Sequence, residues 1–245
     1  MRFLTVVLGA VLLPSGALEA QWPPEKFTNL KVLPDTIARD TLIRMMASFT
    51  RALGVRCTYC HVGEEGKPLD TYDFPSDEKR PKRTAREMLR MVSHINGTHL
   101  AEVAERREPP VTVECATCHR GVAVPRQLAD LLVLTWADHG VDSVIATYTA
   151  LRQRYYGRAA YDFGEVPLTD AASTVERRGA PADAMRLHEL NIEQNPRSTF
   201  ALTRLGEMWA RAGDSGKAVA AYERALALDT TNTGVARRLG ELRGR

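Results

Sequence analysis

The sequence predicts a mostly α-helical protein, and three features of the chain point to this fold class. Apolar residues recur at helical spacing from Ile37 to Leu53 and again from Ala85 to Ile95. A helix followed by a loop and a short cysteine motif occurs twice between residues 35 and 125. From Thr169 onward the pattern is helical, with turn residues at Gly179, Asn195-Pro196, Gly213 and Asp229.

The bulk composition is that of an ordinary globular protein. The 245 residues are 44% hydrophobic and 26% charged, and 33 basic residues nearly cancel 30 acidic ones. A net charge of +3 is too small to indicate a nucleic acid or a strongly acidic partner. The length allows one large domain or two small ones.

The first twenty residues have the pattern of a secretory signal peptide. Arg2 precedes a mostly apolar run from Phe3 to Leu13, and a stretch with small residues follows to Ala20. This run is short for a membrane span, and no later stretch is apolar enough to be one. We therefore expect a signal peptide over residues 1–20 and an exported, periplasmic or otherwise extracytoplasmic protein that is not an integral membrane protein after cleavage.

All four cysteines lie in two Cys-x-x-Cys pairs, and a histidine follows each pair directly. The motifs are Cys57-Thr58-Tyr59-Cys60-His61 and Cys115-Ala116-Thr117-Cys118-His119. This pentapeptide is typical of c-type haem attachment. Two thiols three residues apart can face the two vinyl groups of one porphyrin, and the adjacent imidazole can then bind the iron. The sequence predicts two covalently bound haems c, with His61 and His119 as iron ligands.

Two other uses of four cysteines are open to an exported chain of this size. Disulfides could form within each pair, as Cys57–Cys60 and Cys115–Cys118. Alternatively, two Cys-x-x-Cys pairs could supply a tetrahedral zinc site. Neither alternative needs a histidine immediately after each pair, so haem attachment is the favoured interpretation.

The second axial ligand decides whether each haem iron transfers electrons or is open to substrate. Met45 and Met46 are candidates for the first haem, since they lie on the helix before Cys57. Candidates for the second haem are Met88 and Met91, with His94 and His99 as imidazole alternatives. A methionine on an apolar helix face is often only core packing. Four of the seven methionines, however, lie on the two helices that precede the haem motifs, which favours a methionine for each iron.

Residues 42–126 resemble one half of the cytochrome c subunit of the photosynthetic reaction centre, a family that ordinarily carries four haems as two such halves. The shared pattern comprises Met46-x-x-Phe49, Leu53-Gly54-Val55-x-Cys57-x-Tyr59-Cys60-His61, Lys82-x-x-Ala85-Arg86-x-Met88-x-x-Met91, Ile95-Asn96 and Val113-x-Cys115-x-Thr117-Cys118-His119-Arg120-Gly121. The resemblance implies electron transfer, with Met46 and Met91 as the sixth ligands. Only two haem motifs are present here, so the resemblance does not imply a photosynthetic partner.

The C-terminal third resembles tetratricopeptide (TPR) repeats. Residues 199–232 carry the apolar and small positions of one repeat, at Leu202, Leu205-Gly206, Trp209, Ala218, Tyr222 and Ala225. A looser copy runs from about Glu165 to Ser198 and has His188 where an aromatic residue is usual. Thr233–Leu242 is predicted to be a capping helix. The predicted domains are a dihaem domain over 21–126, a helical connector over 127–160 and TPR-like repeats over 161–245.

Three functions are compatible with these features. The chain could be a non-catalytic dihaem electron carrier that uses its repeats to dock a redox protein. It could instead be a dihaem peroxidase-type enzyme with one open iron, which the upstream methionines disfavour. A third possibility is an interaction protein in which the repeats matter more than haem. The sequence predicts no catalytic residues and favours the electron carrier.

Overall fold

The computed structural model describes residues 24, 26–105 and 107–244, and these form two compact units. The first unit contains the described residues up to Thr50 together with 55–113, and the second contains 51–54 together with 114–244. The predicted signal peptide lies outside the described residues. The predicted domain boundaries at residues 126 and 160 stay predictions.

The described chain is mostly helical, which confirms the predicted fold class. The α-helices, in chain order, are α1 Arg39–Leu53, α2 Arg80–His94, α3 Cys115–His119, α4 Leu128–Tyr155, α5 Glu165–Arg177, α6 Pro181–Gln194, α7 Thr199–Arg211, α8 Ser215–Leu228 and α9 Thr233–Arg243. Short 3-10 helices span Cys57–Tyr59 and Leu69–Thr71, and a π-helix spans Ile95–His99. No described helix is both long and apolar enough to cross a membrane.

The first unit is built from two amphipathic helices and the loops around them. Helix α1 begins at Arg39, because the chain first makes a turn in which the Ile37 amide donates to the Pro34 carbonyl. It ends before Gly54, whose φ of 65° is in the left-handed region that terminates helices. Leu42, with 7% of its surface exposed, is the one buried apolar side chain among the unit's described residues.

The second unit contains an array of helices in which each packs against its sequence neighbours. Helix α4 is interrupted at Gly140, where φ is 76° and ψ is 176°, so it consists of two helical segments. The turns between the later helices fall at the predicted glycine, asparagine and aspartate positions. Short connections between consecutive helices give a stack of helical hairpins, as predicted for a TPR-like array.

Side-chain caps start the last three helices of this array. Ser198, Asp214 and Asn232 each accept a hydrogen bond from a backbone amide three residues later, at 2.9, 3.0 and 3.1 Å. Within the hairpin of α7 and α8, Gly206 lies directly against Tyr222, and a Cβ at Gly206 would meet the tyrosine ring at 2.6 Å. The small residue therefore allows close packing of the two helices, as the repeat pattern predicts.

His188 occupies the aromatic position of the looser repeat and is fully buried on α6. Neither of its ring nitrogens has a hydrogen-bond partner. Burial, together with the positive charges of Arg204 and Arg211 on α7, lowers the pKa of His188 to about 4. The imidazole is thus neutral in the folded protein at neutral pH.

Stability of the helical array should consequently depend on pH through His188. In the unfolded chain His188 binds a proton below about pH 6.5, whereas in the folded chain it does so only below about pH 4. The free energy of unfolding is therefore unaffected by His188 above pH 6.5 and falls as the pH drops toward 4. The decrease in the free energy of unfolding should reach about 3 kcal/mol. His188→Phe should remove this dependence in urea unfolding followed at pH 7 and pH 4.5, whereas His139→Gln, a change at an exposed histidine, should retain it.

Candidate haem sites

The first cysteine motif forms a single helical turn. The Cys60 and His61 amides both donate to the Cys57 carbonyl, at 3.2 and 2.9 Å. This turn brings the two sulfur-bearing residues and the histidine close together. Both cysteines are free thiols and partly exposed, and burial raises the pKa of the Cys60 thiol.

His61 packs against Phe74, with their ring centroids 4.8 Å apart in an edge contact. Burial lowers the pKa of His61, and the nearby Lys82 lowers it further, while contact with the Phe74 backbone opposes the change. The imidazole is therefore neutral at neutral pH. A neutral imidazole is the form that can donate a nitrogen lone pair to a metal.

Basic side chains hold the loop before α2 close to this motif. Lys82 Nζ donates to the carbonyls of Phe74, Pro75 and Ser76 at 2.7, 2.9 and 2.7 Å. Lys79 donates to the carbonyl of Thr58, inside the motif itself. The loop, including Phe74, is thereby fixed beside His61.

Asp77 is the acidic centre of this cluster, and composition alone does not distinguish it from the other loop carboxylates. It pairs with Arg86 at 2.8 Å, Lys31 at 2.6 Å and Lys82 at 3.3 Å. The Arg86 guanidinium and then Lys31 hold the pKa of Asp77 well below its usual range. Arg86 also donates to the Asn29 carbonyl and so holds the segment that precedes α1.

The second motif forms the short helix α3. Its start is held by the Glu114 amide, which donates to the Thr117 hydroxyl at 3.0 Å. Its end turns sharply, because Arg120 and Gly121 both have positive φ, at 47° and 88°. All cysteines of the chain are free thiols, and burial raises the pKa of the Cys115 thiol.

The turn after α3 orients the second histidine. His119 Nδ1 lies 3.0 Å from the Val122 carbonyl oxygen, and because a carbonyl can only accept, Nδ1 carries the hydrogen. This leaves Nε2 with the lone pair, the tautomer in which metal-binding histidines are usually held. The sequence does not indicate this role of Val122, because any residue type can supply a backbone carbonyl.

Gly54 and Gly121 meet where α1 ends. The Gly121 amide donates to the Ala52 carbonyl at 2.8 Å, and a Cβ on Gly54 would lie 2.0 Å from the Gly121 oxygen. The two glycines allow a backbone approach that no larger residue at 54 permits. The turn that positions His119 is thus attached to the end of the helix that carries Met46.

Both predicted sixth ligands, Met46 and Met91, lie in the first unit. Met46 is half-buried on α1, in the same unit as the first motif. Met91 lies on α2 with 44% of its surface exposed, and Met88 is half-buried one turn earlier. The assignment of the six attachment residues and of Met46 and Met91 stays a prediction.

The residues present fit covalently attached haem. Each motif has two free thiols and a histidine within one helical turn, and His119 is oriented by its backbone acceptor. None of the residues of α2 is buried, and Ile43 and Met91 are 39% and 44% exposed. The helices of the first unit thus offer apolar faces to a flat apolar group such as a porphyrin. Among the described residues, no three His, Cys, Asp or Glu side chains are grouped to hold a metal ion.

Comparison with known proteins decides the family. Residues 14–133 match the family described as photosynthetic reaction centre cytochrome C subunit, over about half of the chain. Over this segment the chain belongs to the reaction-centre cytochrome c subunit family. Cytochromes c carry covalently bound haem, so membership in this cytochrome family implies haem c as the cofactor.

The curated relatives of this cytochrome are themselves cytochromes. It is 33% identical to the photosynthetic reaction center cytochrome c subunit of Roseobacter denitrificans, over 59% of this chain and 37% of that protein. It is also 33% identical to cytochrome c-554 of Chloroflexus aurantiacus, over 37% of this chain and 20% of that protein. The subunit of Rubrivivax gelatinosus matches at 33% identity, over 42% of this chain and 24% of the relative. The cytochrome thus spans between a fifth and two fifths of these relatives.

Among solved structures, the cytochrome is similar to the first TPR of Spaghetti (RPAP3) bound to HSP90 peptide SRMEEVD. That match has 23% identity and a TM-score of 0.33, and it covers 48% of this chain and 88% of the other. A similarity this low carries no argument. The description of the C-terminal helices as TPR-like depends on their own repeat pattern and packing.

Proposed function

We propose that this chain is an exported dihaem c-type cytochrome that transfers electrons between redox partners. One haem would be attached through Cys57 and Cys60 with His61 on its iron. The other would be attached through Cys115 and Cys118 with His119 on its iron. The observation that carries the proposal is the pair of helical turns, each presenting two free thiols and an adjacent histidine.

The residues around each haem have separate tasks in this proposal. When bound, haem supplies the one-electron exchange between ferric and ferrous iron. The Val122 carbonyl keeps His119 in the tautomer whose Nε2 can bind iron. Phe74 and the lysine-fastened loop hold the His61 ring in place. Fixed ligands keep the iron geometry similar in both oxidation states, which favours fast electron transfer.

A methionine ligand on both irons would distinguish an electron carrier from a peroxidase-type enzyme. A thioether sulfur stabilises ferrous iron and occupies the site that peroxide would need. We assign Met46 to the first haem, because α1 directly precedes the first motif along the chain and Met46 matches the first ligand position of the family pattern. We assign Met91 to the second by its place in the family pattern.

The TPR-like helices are proposed to dock the redox partner. Val166 on α5 and Phe200 on α7 occupy equivalent positions, 34 residues apart, and remain 54% and 51% exposed. Exposed apolar side chains that repeat with the structural period are typical of a binding surface in repeat proteins. The proposed partner for this surface is a redox protein, because binding close to a haem shortens the electron-transfer distance. Residues 1–20 are proposed to direct export.

An optical redox titration of the mature protein, made in a host that attaches haem c, tests this function. Two low-spin haems should each take up one electron, with methionine-type absorption on both ferric irons. The reduced protein should react slowly with peroxide, because no iron is open. A high-spin ferric haem with rapid peroxide reduction would favour the peroxidase-type enzyme and contradict the carrier.

A further inference from the structure

Two exposed histidines, one at the end of α2 and one just after it, are not used as ligands in the proposed haem sites. His94 is the last residue of α2 and His99 is the last residue of the π-helix that follows. Their ring centroids lie 5.0 Å apart, and the rings are nearly perpendicular, at 89°. Both residues are exposed to solvent.

The π-helix is what brings these rings together. In a regular α-helix, residues five apart point about 140° away from each other around the axis. Here the Leu100 amide donates to the Ile95 carbonyl at 2.8 Å, a five-residue hydrogen bond that widens the turn. Such π turns are rare, and they occur frequently at functional sites.

A tertiary contact holds the widened turn. The Asn96 side-chain amide donates to the Val113 carbonyl, and the Val113 amide donates to the Asn96 side-chain oxygen, both at 2.8 Å. This paired contact fixes the π-helix between the two histidines. The backbone positions of the two histidines are thus fixed relative to each other.

The geometry of the pair matches two imidazoles on one metal ion. Zinc lies about 2.0–2.1 Å from an imidazole nitrogen and so roughly 3.2 Å from the ring centre, which places two tetrahedrally arranged rings about 5.2 Å apart. The observed 5.0 Å is close to this value. The Thr98 hydroxyl lies 3.4 Å from His94 Nδ1 and can accept the hydrogen of Nδ1, and in that tautomer Nε2 of His94 is free to bind a metal.

We propose that His94 and His99 form a surface site for a divalent transition metal that prefers imidazole, such as Zn²⁺ or Cu²⁺. No third His, Cys, Asp or Glu joins them among the described residues, so water completes the coordination. Imidazole suits Zn²⁺ and Cu²⁺, whereas Mg²⁺ prefers oxygen ligands and should not bind. This site is separate from both haems, whose sixth ligands are assigned to methionine.

Isothermal titration of the untagged, haem-loaded ferric protein with ZnCl₂ tests the site. The wild type should bind one equivalent of Zn²⁺ and no Mg²⁺. Loss of a group that only supports a metal ligand costs about 10–100-fold in affinity, so His94→Gln and His99→Gln should each weaken binding at least tenfold. His139→Gln, which changes an exposed histidine outside the pair, should bind as the wild type does.

Two results would overturn the proposal. Unchanged Zn²⁺ binding in the double His94→Gln, His99→Gln variant would place the ion elsewhere. A changed haem spectrum in either single variant would show that the imidazole binds iron. Because the haem spectrum also reports folding and haem attachment, a failure of the metal site is distinguishable from a failure of the proposed electron carrier.

Discussion

Met46→Ala should lower the midpoint potential of one haem and leave the other nearly unchanged. Axial ligands shift haem potentials over a range of about 0.8 V, and loss of a thioether should lower this potential by on the order of 0.1 V or more. The reason is that methionine sulfur stabilises ferrous iron relative to water or a second imidazole. A potentiometric titration followed in the visible spectrum resolves the two haems.

The neighbouring methionine provides the matched control. Met45 lies on the same helix and is also half-buried, but it points about 100° away around the helix axis. Met45→Ala should leave both potentials close to those of the wild type. If Met46→Ala changes neither potential, or if Met45→Ala produces the drop, the ligand assignment is wrong.

Replacing both cysteines of the first motif, as Cys57→Ser with Cys60→Ser, should remove one haem and unfold much of the first unit. Protein atoms bury only Leu42 among the apolar residues of this unit that the structure describes. A segment of this length with so small a core does not remain folded without additional stabilisation. In the proposed holoprotein, porphyrin supplies the apolar surface against which α1 and α2 pack.

Limited proteolysis with mass spectrometry measures this effect region by region. In the double variant, cleavage within residues 26–113 should become rapid, while the array from α5 to α9 stays resistant because it has its own buried core. Tyr59→Phe, which changes the same motif but keeps both thiols, should be cleaved as the wild type is. Unchanged resistance of the first unit in the double variant would show that haem does not hold it together.

Local signals in the sequence predicted most of the helices. The array from α5 to α9 follows from periodic apolar residues and from turn residues such as Gly179 and Gly213, both of which have positive φ. Gly54 ends α1 for the same reason. The cysteine motifs were identified from residue spacing because haem attachment needs neighbours within one turn.

Tertiary interactions account for what the sequence did not indicate. Apolar spacing predicts the second helix only as far as Ile95, but a π-helix continues to His99 because the Asn96 side chain pairs with the backbone of Val113. Similarly, Asp77 resembles its loop neighbours in sequence, and only folding brings Lys31 and Arg86 to it. Contacts between distant residues leave no periodic pattern, so local reasoning does not find them.

Intact mass spectrometry of the mature protein, expressed with cytochrome maturation machinery, tests the central claim most directly. Under denaturing conditions, which release any haem that is not covalently bound, the wild type should retain the mass of the polypeptide plus two haems. Cys115→Ser with Cys118→Ser should retain only one. A wild-type mass equal to that of the bare polypeptide would contradict the account.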